Sequence, residues 1–343
     1  MILCGPFIKR AARTFLPSSL CCSGGISKRT NVTLAITRHV SENLANAITS
    51  NAHEPNNNEH PVGNEAAGIS LDIAKQQHLD YVQKLRSIVP TLTLPASSQH
   101  PDCVFVEDTA VVVGNTAVIN RIGAEPRRGE EDPIRTILNQ LGLTVHDMRN
   151  ASVSSENEPF TDSEDAPTCD GGDVLYPGGN ELFVGLSSRT NEGGIRFLQK
   201  SFPMLEVITV PLRALDLDLD LESESYDSGG PFGCLHLKSM VTHIDETTLV
   251  LPMGPIGEEL FRRMEGVKRG YHPVYLPDAA SCNLVSVNGT VLAPETAACC
   301  EETRSILQQE IIERRGMSML FLDSSEFVKC DGALTCKSIL LSL

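Results

Sequence analysis

The chain has 343 residues, 41% of them hydrophobic, with no Trp and with 28 basic against 44 acidic side chains for a net charge of -16. That length can bury one large core or two ordinary ones, and the acidic balance argues against a nucleic-acid partner, whose phosphates need a basic face. No stretch of about 18 apolar residues is present to span a membrane, and the eleven cysteines include no C-x-x-C pair, so they read as reduced, intracellular thiols rather than a zinc site.

Up to Val40 there are six basic residues (Lys9, Arg10, Arg13, Lys28, Arg29, Arg38) and no acidic one. Phe7, Ile8, Ala11 and Phe15 fall at helical spacing with the charges largely opposite, a pattern that fits a mitochondrial targeting peptide. The alternative is an untargeted extension over residues 1–30 on a cytoplasmic protein. A short strand, Leu34 to Thr37, begins the folded part, and residues 50–67 form a polar loop. From Ile69 to Val89 the spacing predicts a helix with Ile73, Leu79, Val82, Leu85 and Ile88 as its apolar stripe, stopped by Pro90. Cys103 to Val113 reads as a strand, Gly114-Asn115 as a hairpin turn and Thr116 to Ile119 as the return strand. Pro133 starts a second helix that runs to Leu141.

The same rhythm then recurs. Strand pairs at 174–176 with 181–186, and at 284–287 with 290–292 across Asn288-Gly289, alternate with helices near 191–201, 256–268 and 301–314. Five helices at intervals of 45 to 65 residues suggest a repeat architecture, with a doubly wound α/β sheet as the alternative. Two stretches interrupt it. Residues 151–168 are rich in Ser, Glu and Asp and read as a surface loop; residues 214–230 carry the strict alternation Leu215-Asp216-Leu217-Asp218-Leu219-Asp220-Leu221-Glu222, which reads as an acidic flexible insert, Asp being a poor strand former, with an edge strand as the alternative.

Three stretches carry candidate chemistry. Phe327 to Leu341 brings an apolar, strand-like segment to an Asp331-Gly332 turn and then presents Cys336 before a buried-looking run. A thiol there is held by packing yet reachable, and the adjacent Lys337 would favour the thiolate; the plainer reading is a small core residue. Leu235-His236-Leu237-Lys238-Ser239 puts a histidine on an apolar, alternating segment, and Asp170-Gly171-Gly172-Asp173 puts two carboxylates around a Gly pair, which by itself reads as a turn. Together these supply a nucleophile, a proton carrier and an orienting carboxylate.

These three stretches, with Pro101-Asp102-Cys103-Val104-Phe105-Val106-Glu107-Asp108 and Phe183-Val184-Gly185-Leu186-Ser187-Ser188-Arg189-Thr190-Asn191, resemble the dimethylarginine dimethylaminohydrolases of the guanidino-group-modifying (pentein) superfamily. The resemblance runs in order from about Asn31 to Leu343 and implies one catalytic domain, a five-bladed α/β propeller with its active site in the central channel. It implies hydrolysis of Nω,Nω-dimethyl-L-arginine and Nω-monomethyl-L-arginine to citrulline and the free amine through a covalent intermediate, which would relieve inhibition of nitric oxide synthase. On that correspondence Cys336 is the nucleophile, His236 the proton donor and base, and Asp170 the residue that orients His236. Glu107 and Asp108 would take the guanidinium, Asp102 the α-ammonium, Arg127 and Arg189 the carboxylate, and Ser239 and Cys330 would line the guanidinium end. No cofactor is implied, and no metal beyond an inhibitory zinc at Cys336; the expected partner is a small molecule, with no nucleic acid or membrane, and the protein a monomer or homodimer. Cys330 stands where an aliphatic residue is common in the family and would add a thiol near the site. An arginine deiminase would place a carboxylate where Lys238 stands, and a non-catalytic methylarginine binder would have no use for Cys336.

Overall fold

The computed structural model describes residues 31–48, 68–150, 166–212 and 235–343. The basic extension, the insert at 214–230 and most of the insert at 151–168 lie outside the described residues.

In chain order, strand β1 (Leu34–Arg38) leads to helix α1 (Leu71–Arg86) and strand β2 (Thr91–Leu94). The next unit is β3 (Ala110–Val113), β4 (Thr116–Ile119), α2 (Glu131–Gln140) and β5 (Thr144–Asp147). It is followed by β6 (Val174–Leu175), β7 (Glu181–Leu186), α3 (Glu192–Ser201) and β8 (Glu206–Pro211). The third unit of this kind is β9 (Thr242–Asp245), β10 (Thr248–Pro252), α4 (Pro255–Arg263), α5 (Gly266–Arg269) and β11 (His272–Leu276). The fourth is β12 (Val285–Val287), β13 (Thr290–Pro294), α6 (Glu295–Cys299), α7 (Glu301–Leu307) and β14 (Ser318–Leu322). The short helix α8 (Ser325–Val328) and strand β15 (Ile339–Leu341) complete the described chain.

The fifteen strands form five three-stranded sheets, and one rule builds each of them. An inner strand pairs antiparallel with the middle strand, and a helical crossover brings the outer strand alongside in parallel. The turn Asn288-Gly289 shows why the hairpins are tight: both residues have positive φ, 48° and 82°, as a two-residue turn that matches the strands' twist requires. The remaining blade is completed from both ends of the described chain, because β15 is its inner strand, antiparallel to β1 with Ile36 opposite Ile339. The result is the expected five-bladed α/β propeller. No helix among the described residues is long and apolar enough to cross a membrane.

Three local expectations are corrected. Residues 103–109 are not strand: Val106–Thr109 is a 3-10 turn, and β3 begins only at Ala110. Residues 325–328 are helical rather than extended, and Asp331 takes a left-handed φ of 57°. Helix α1 buries Val82 and Leu85 as expected, with Ile88 packed against them, but its first half turns another face inward: Ala74, His78 and Tyr81 are buried, while Ile73 and Leu79 are 49% and 44% exposed. The 74-78-81-85 spacing is as helical as the one read from the apolar residues, and it lets small Ala74 and aromatic Tyr81 meet the core.

The inner strands β3, β6, β9, β12 and β15 surround a cavity of about 310 Å³. Each is entered from a segment rich in polar side chains: Glu107-Asp108 before β3, Asp170 to Asp173 before β6, His236 to Ser239 before β9, Asn283 before β12 and Thr335 to Lys337 before β15. Five inner strands that start at one end of a ring gather five such segments there.

Candidate active site

His236 is 4% exposed and its Nε2 lies 3.0 Å from Oδ2 of Asp170. Asp170 is itself fixed, since its Oδ1 accepts the backbone N–H of Gly123 at 2.7 Å. The imidazole lies flush on Gly172, where a Cβ would stand 2.6 Å from Nδ1. Asp173 holds the loop from beneath: it accepts the hydroxyls of Ser187 and Thr190 at 2.6 and 2.7 Å and the N–H of Leu237 at 3.0 Å. Burial opposes a charge on His236, but Asp108, the hydrogen bond it donates to Asp170, and Asp173 outweigh it and raise the imidazolium pKa to about 9.

Asp108 joins this histidine to an arginine. Its Oδ1 accepts the N–H of Gly172 at 3.0 Å and its Oδ2 accepts Nη1 of Arg127 at 2.8 Å. Burial works against its charge, but His236 and Arg127 hold the carboxyl down at about 2. Arg127 also donates to both carboxylate oxygens of Glu130 and to the carbonyl of Phe105. Its five N–H groups are thereby nearly spent, so it cannot offer a substrate carboxylate the two parallel hydrogen bonds that the sequence reading allowed. Arg189 differs: half-buried, it makes no side-chain hydrogen bond among the described residues, and it lies near enough to Asp102 to lower that group's pKa against the rise caused by burial. Asp102, 3% exposed, accepts the N–H of Ile48 at 3.2 Å, where the described chain breaks off before residue 49.

Cys336 sits half-buried in the 3-10 turn Thr335–Lys337. Among the charged groups that act on it, Glu107 has the largest effect; its carboxylate is pinned by Lys238 Nζ at 2.6 Å and Thr335 Oγ1 at 2.9 Å. Burial pushes the Cys336 thiol up to about 12, and Glu107 and Asp108 push in the same direction. Asn283 ties the two sides of the site together by donating to the carbonyl of Lys238 and to Thr335 Oγ1 while accepting the N–H of Thr335. Ser239 is half-buried in the turn after His236. Cys330, 2% exposed, is a free thiol whose Sγ–H donates to the carbonyl of Phe327, and burial raises its pKa to about 12.

Lys337 points away from Cys336 into the core. Its side chain is fully buried, with Nζ donating to Ser324 Oγ at 2.8 Å and lying 4.7 Å from the ring centres of both Tyr81 and Phe327. Burial lowers its pKa to about 7, which weakens it as the fixed cation that the sequence suggested. Among the described residues, one set of side chains converges closely enough to hold an ion: ligand atoms of Asp108, Asp170 and His236 lie within 4.8 Å of one another. Cys336 is not in that set, and a protonated histidine between two carboxylates accounts for the closeness without a metal.

Sequence reasoning named the charged groups and missed those that hold them. Glu130, Asn283 and Thr335 carry no local signal, because each is separated in the chain from what it holds or lies in unremarkable context. Gly172 was seen as part of a turn and not as the platform for an imidazole.

Residues 45–217 match the family model described as "N,N dimethylarginine dimethylhydrolase, eukaryotic". An uncharacterised protein of Aeropyrum pernix is 30% identical over 280 residues, covering 80% of this chain and 86% of its own. The N(G),N(G)-dimethylarginine dimethylaminohydrolase of Streptomyces coelicolor is 31% identical over 260 residues, 73% of this chain and 79% of that enzyme. Among solved structures, a cysteine-to-serine mutant of the Pseudomonas aeruginosa dimethylaminohydrolase in complex with citrulline superposes with a TM-score of 0.66 at 22% identity, over 91% of this chain and all of that one. A family match across half the chain, with a named relative 31% identical over 73% of it and the same ring of blades, leads to one assignment: this chain belongs to the dimethylarginine dimethylaminohydrolase family of the pentein superfamily.

Proposed function

We propose that the protein hydrolyses Nω,Nω-dimethyl-L-arginine and Nω-monomethyl-L-arginine to L-citrulline and dimethylamine or methylamine, through a covalent thiouronium intermediate on Cys336. It is a hydrolase of carbon–nitrogen bonds in amidines. The observation that carries the reading is the pairing of a suppressed thiol with an excess of buried carboxylate. His236 is kept protonated by Asp108, Asp170 and Asp173 against its burial, while the pKa of Cys336 is raised by burial and then by Glu107 and Asp108. A guanidinium bound between them brings the missing positive charge, which favours the thiolate at the moment it is needed.

The thiolate then attacks the guanidinium carbon, a poor electrophile that a neutral hydroxyl would not engage. His236, held by Asp170 as an imidazolium, gives its proton to the substituted nitrogen, so the C–N bond breaks and a neutral amine departs. The resulting neutral imidazole takes a proton from water, whose oxygen attacks the thiouronium carbon; the C–S bond breaks to release citrulline. Arg189, with its nitrogens unspent, grips the substrate carboxylate, with Arg127 adding at most one hydrogen bond, and Asp102 takes the α-ammonium. Ser239 and Cys330 border the guanidinium end. Lys238 supports the methylated substrate over arginine: it meets Glu107 where a deiminase would need a second free carboxylate. Consumption of methylarginines would relieve inhibition of nitric oxide synthase.

The test is citrulline release from dimethylarginine, monomethylarginine and arginine, by the protein and by its Cys336→Ser variant. Turnover of the methylated substrates that falls by about a thousandfold or more in the variant supports the reading. Arginine as the preferred substrate, or equal activity in the variant, would overturn it.

A further inference from the structure

The central cavity has a feature that the reaction itself does not require. Glu107, Lys238 and Thr335, which are tied to one another by hydrogen bonds and of which Glu107 and Lys238 act on the Cys336 thiol, also line the cavity. From there the five inner strands run away from the site, and the cavity follows them past Val112, Leu175, Thr242, Val285 and Leu340 to Gly114, Tyr176 and Ser342 at their far ends. The site therefore has a front, marked by Asp102 and Arg189, and a back.

We propose that this channel is the exit for the leaving amine, a rear passage that opens beside Lys238 while the amino-acid part of the adduct still fills the front. The inference rests on the function proposed above. When the C–N bond breaks, one product is free and the other remains tethered through the C–S bond to Cys336. Its α-carboxylate and α-ammonium still engage Arg189 and Asp102. The amine must depart before water takes its place, since an amine that lingers can re-add to the thiouronium carbon and regenerate substrate. The tethered chain blocks the way it came in.

The rear passage suits this cargo. Its walls mix apolar side chains such as Val112, Leu175, Val285 and Leu340, which accept N-methyl groups, with polar ones such as Thr242 and Ser286. His243, on β9, lines it with an Nδ1 that is buried and makes no hydrogen bond among the described residues. Burial and Lys238 keep that imidazole neutral, with a pKa lowered to about 4, so its nitrogen can accept an N–H from a passing amine. Lys238 stands at the entrance on a flexible four-carbon stem, its ammonium paired with Glu107. The amine leaves neutral, so it can pass this ion pair with no exchange of charge on Glu107.

The experiment narrows the passage without touching the catalytic loops. Val112→Trp obstructs it midway and Ser342→Trp at the far end; both positions are half-buried wall residues, and the second tolerates bulk even if the first prevents folding. In the folded variants kcat for dimethylarginine should fall about tenfold or more and kcat for monomethylarginine less, because product release becomes limiting. KM and the single-turnover rate of adduct formation on Cys336, measured by rapid quench and mass spectrometry, should be unchanged. An unchanged kcat in either folded variant would overturn the exit route. So would equal losses for both substrates with slower adduct formation, the result of plain structural damage. If the unmodified protein releases no amine from either substrate, the functional reading fails first and the exit route with it.

Discussion

His236 and Lys337 are both buried bases beside the reacting centre, and their surroundings are opposites. His236 stands among Asp108, Asp170 and Asp173, whereas Lys337 lies between two aromatic faces with a single hydroxyl for a hydrogen bond. The first environment raises a pKa to about 9 and the second lowers one to about 7. One side of the site is thus built to keep a proton and the other to shed one, although neither group alone would titrate in that direction. Placement among carboxylates or rings, not residue type, decides the charge.

The strongest way to break the contrast is Asp108→Asn, which removes the carboxylate shared by His236, Arg127 and Gly172. It should destabilise the fold by about 3–5 kcal/mol, the usual cost of stranding one member of a buried ion pair, and move the basic limb of the activity profile toward lower pH. Urea unfolding and a pH-rate profile would measure the two effects. Gly172→Ala places a methyl group against the imidazole, so kcat should fall about a hundredfold, roughly 2.7 kcal/mol of barrier, while the thermal midpoint moves little. A kcat within a factor of two of the original would show that His236 has room to shift.

A subtler test separates the two bases by their pH slopes. His236 has a folded pKa of about 9 against 6.5 unfolded, so its contribution to stability is complete below 6.5 and is lost as the pH rises through 9. Lys337 has a folded pKa of about 7 against 10.5, so its penalty is complete below 7 and is relieved as the pH rises toward 10.5. Between pH 7.5 and 8.5 the two slopes oppose each other, each up to about 1.4 kcal/mol per pH unit. Lys337→Met should leave stability falling with pH in that window and His236→Gln should leave it rising; the same slope in both variants would refute the contrast. The smallest expected effect is that of Tyr81→Phe, which removes the 2.8 Å hydrogen bond with Ser338 Oγ and should cost about 1 kcal/mol in chemical denaturation.

Much of this molecule was legible in the sequence where a local rule was at work. Asn288-Gly289 and Gly114-Asn115 named their turns, and the recurrence of hairpin and helix named the blades. The run from Cys103 to Val113 misled because an apolar segment with β-branched residues reads as one strand, while in the ring its first half must turn to aim Glu107 and Asp108 at the channel. Helix α1 misled for a related reason: its buried face was chosen by Tyr81 and Ala74 in contact with the last segment of the chain, a long-range fact that periodicity does not carry. Lys337 is the sharpest case. Sequence adjacency placed its charge beside the thiol, but successive side chains in a tight turn diverge, and the aromatic cage that receives it comes from residues 81 and 327.

The pairing of β15 with β1 has a consequence during synthesis. The strand that closes the first blade is made some 300 residues after its partner, and Cys336, the nucleophile proposed above, lies just before it. A chain still on the ribosome with only the sequence of the other four blades made has Asp108, Asp170 and His236 but not Cys336. On the proposed mechanism such a chain cannot react, and the thiol is added by the same segment that completes the first blade.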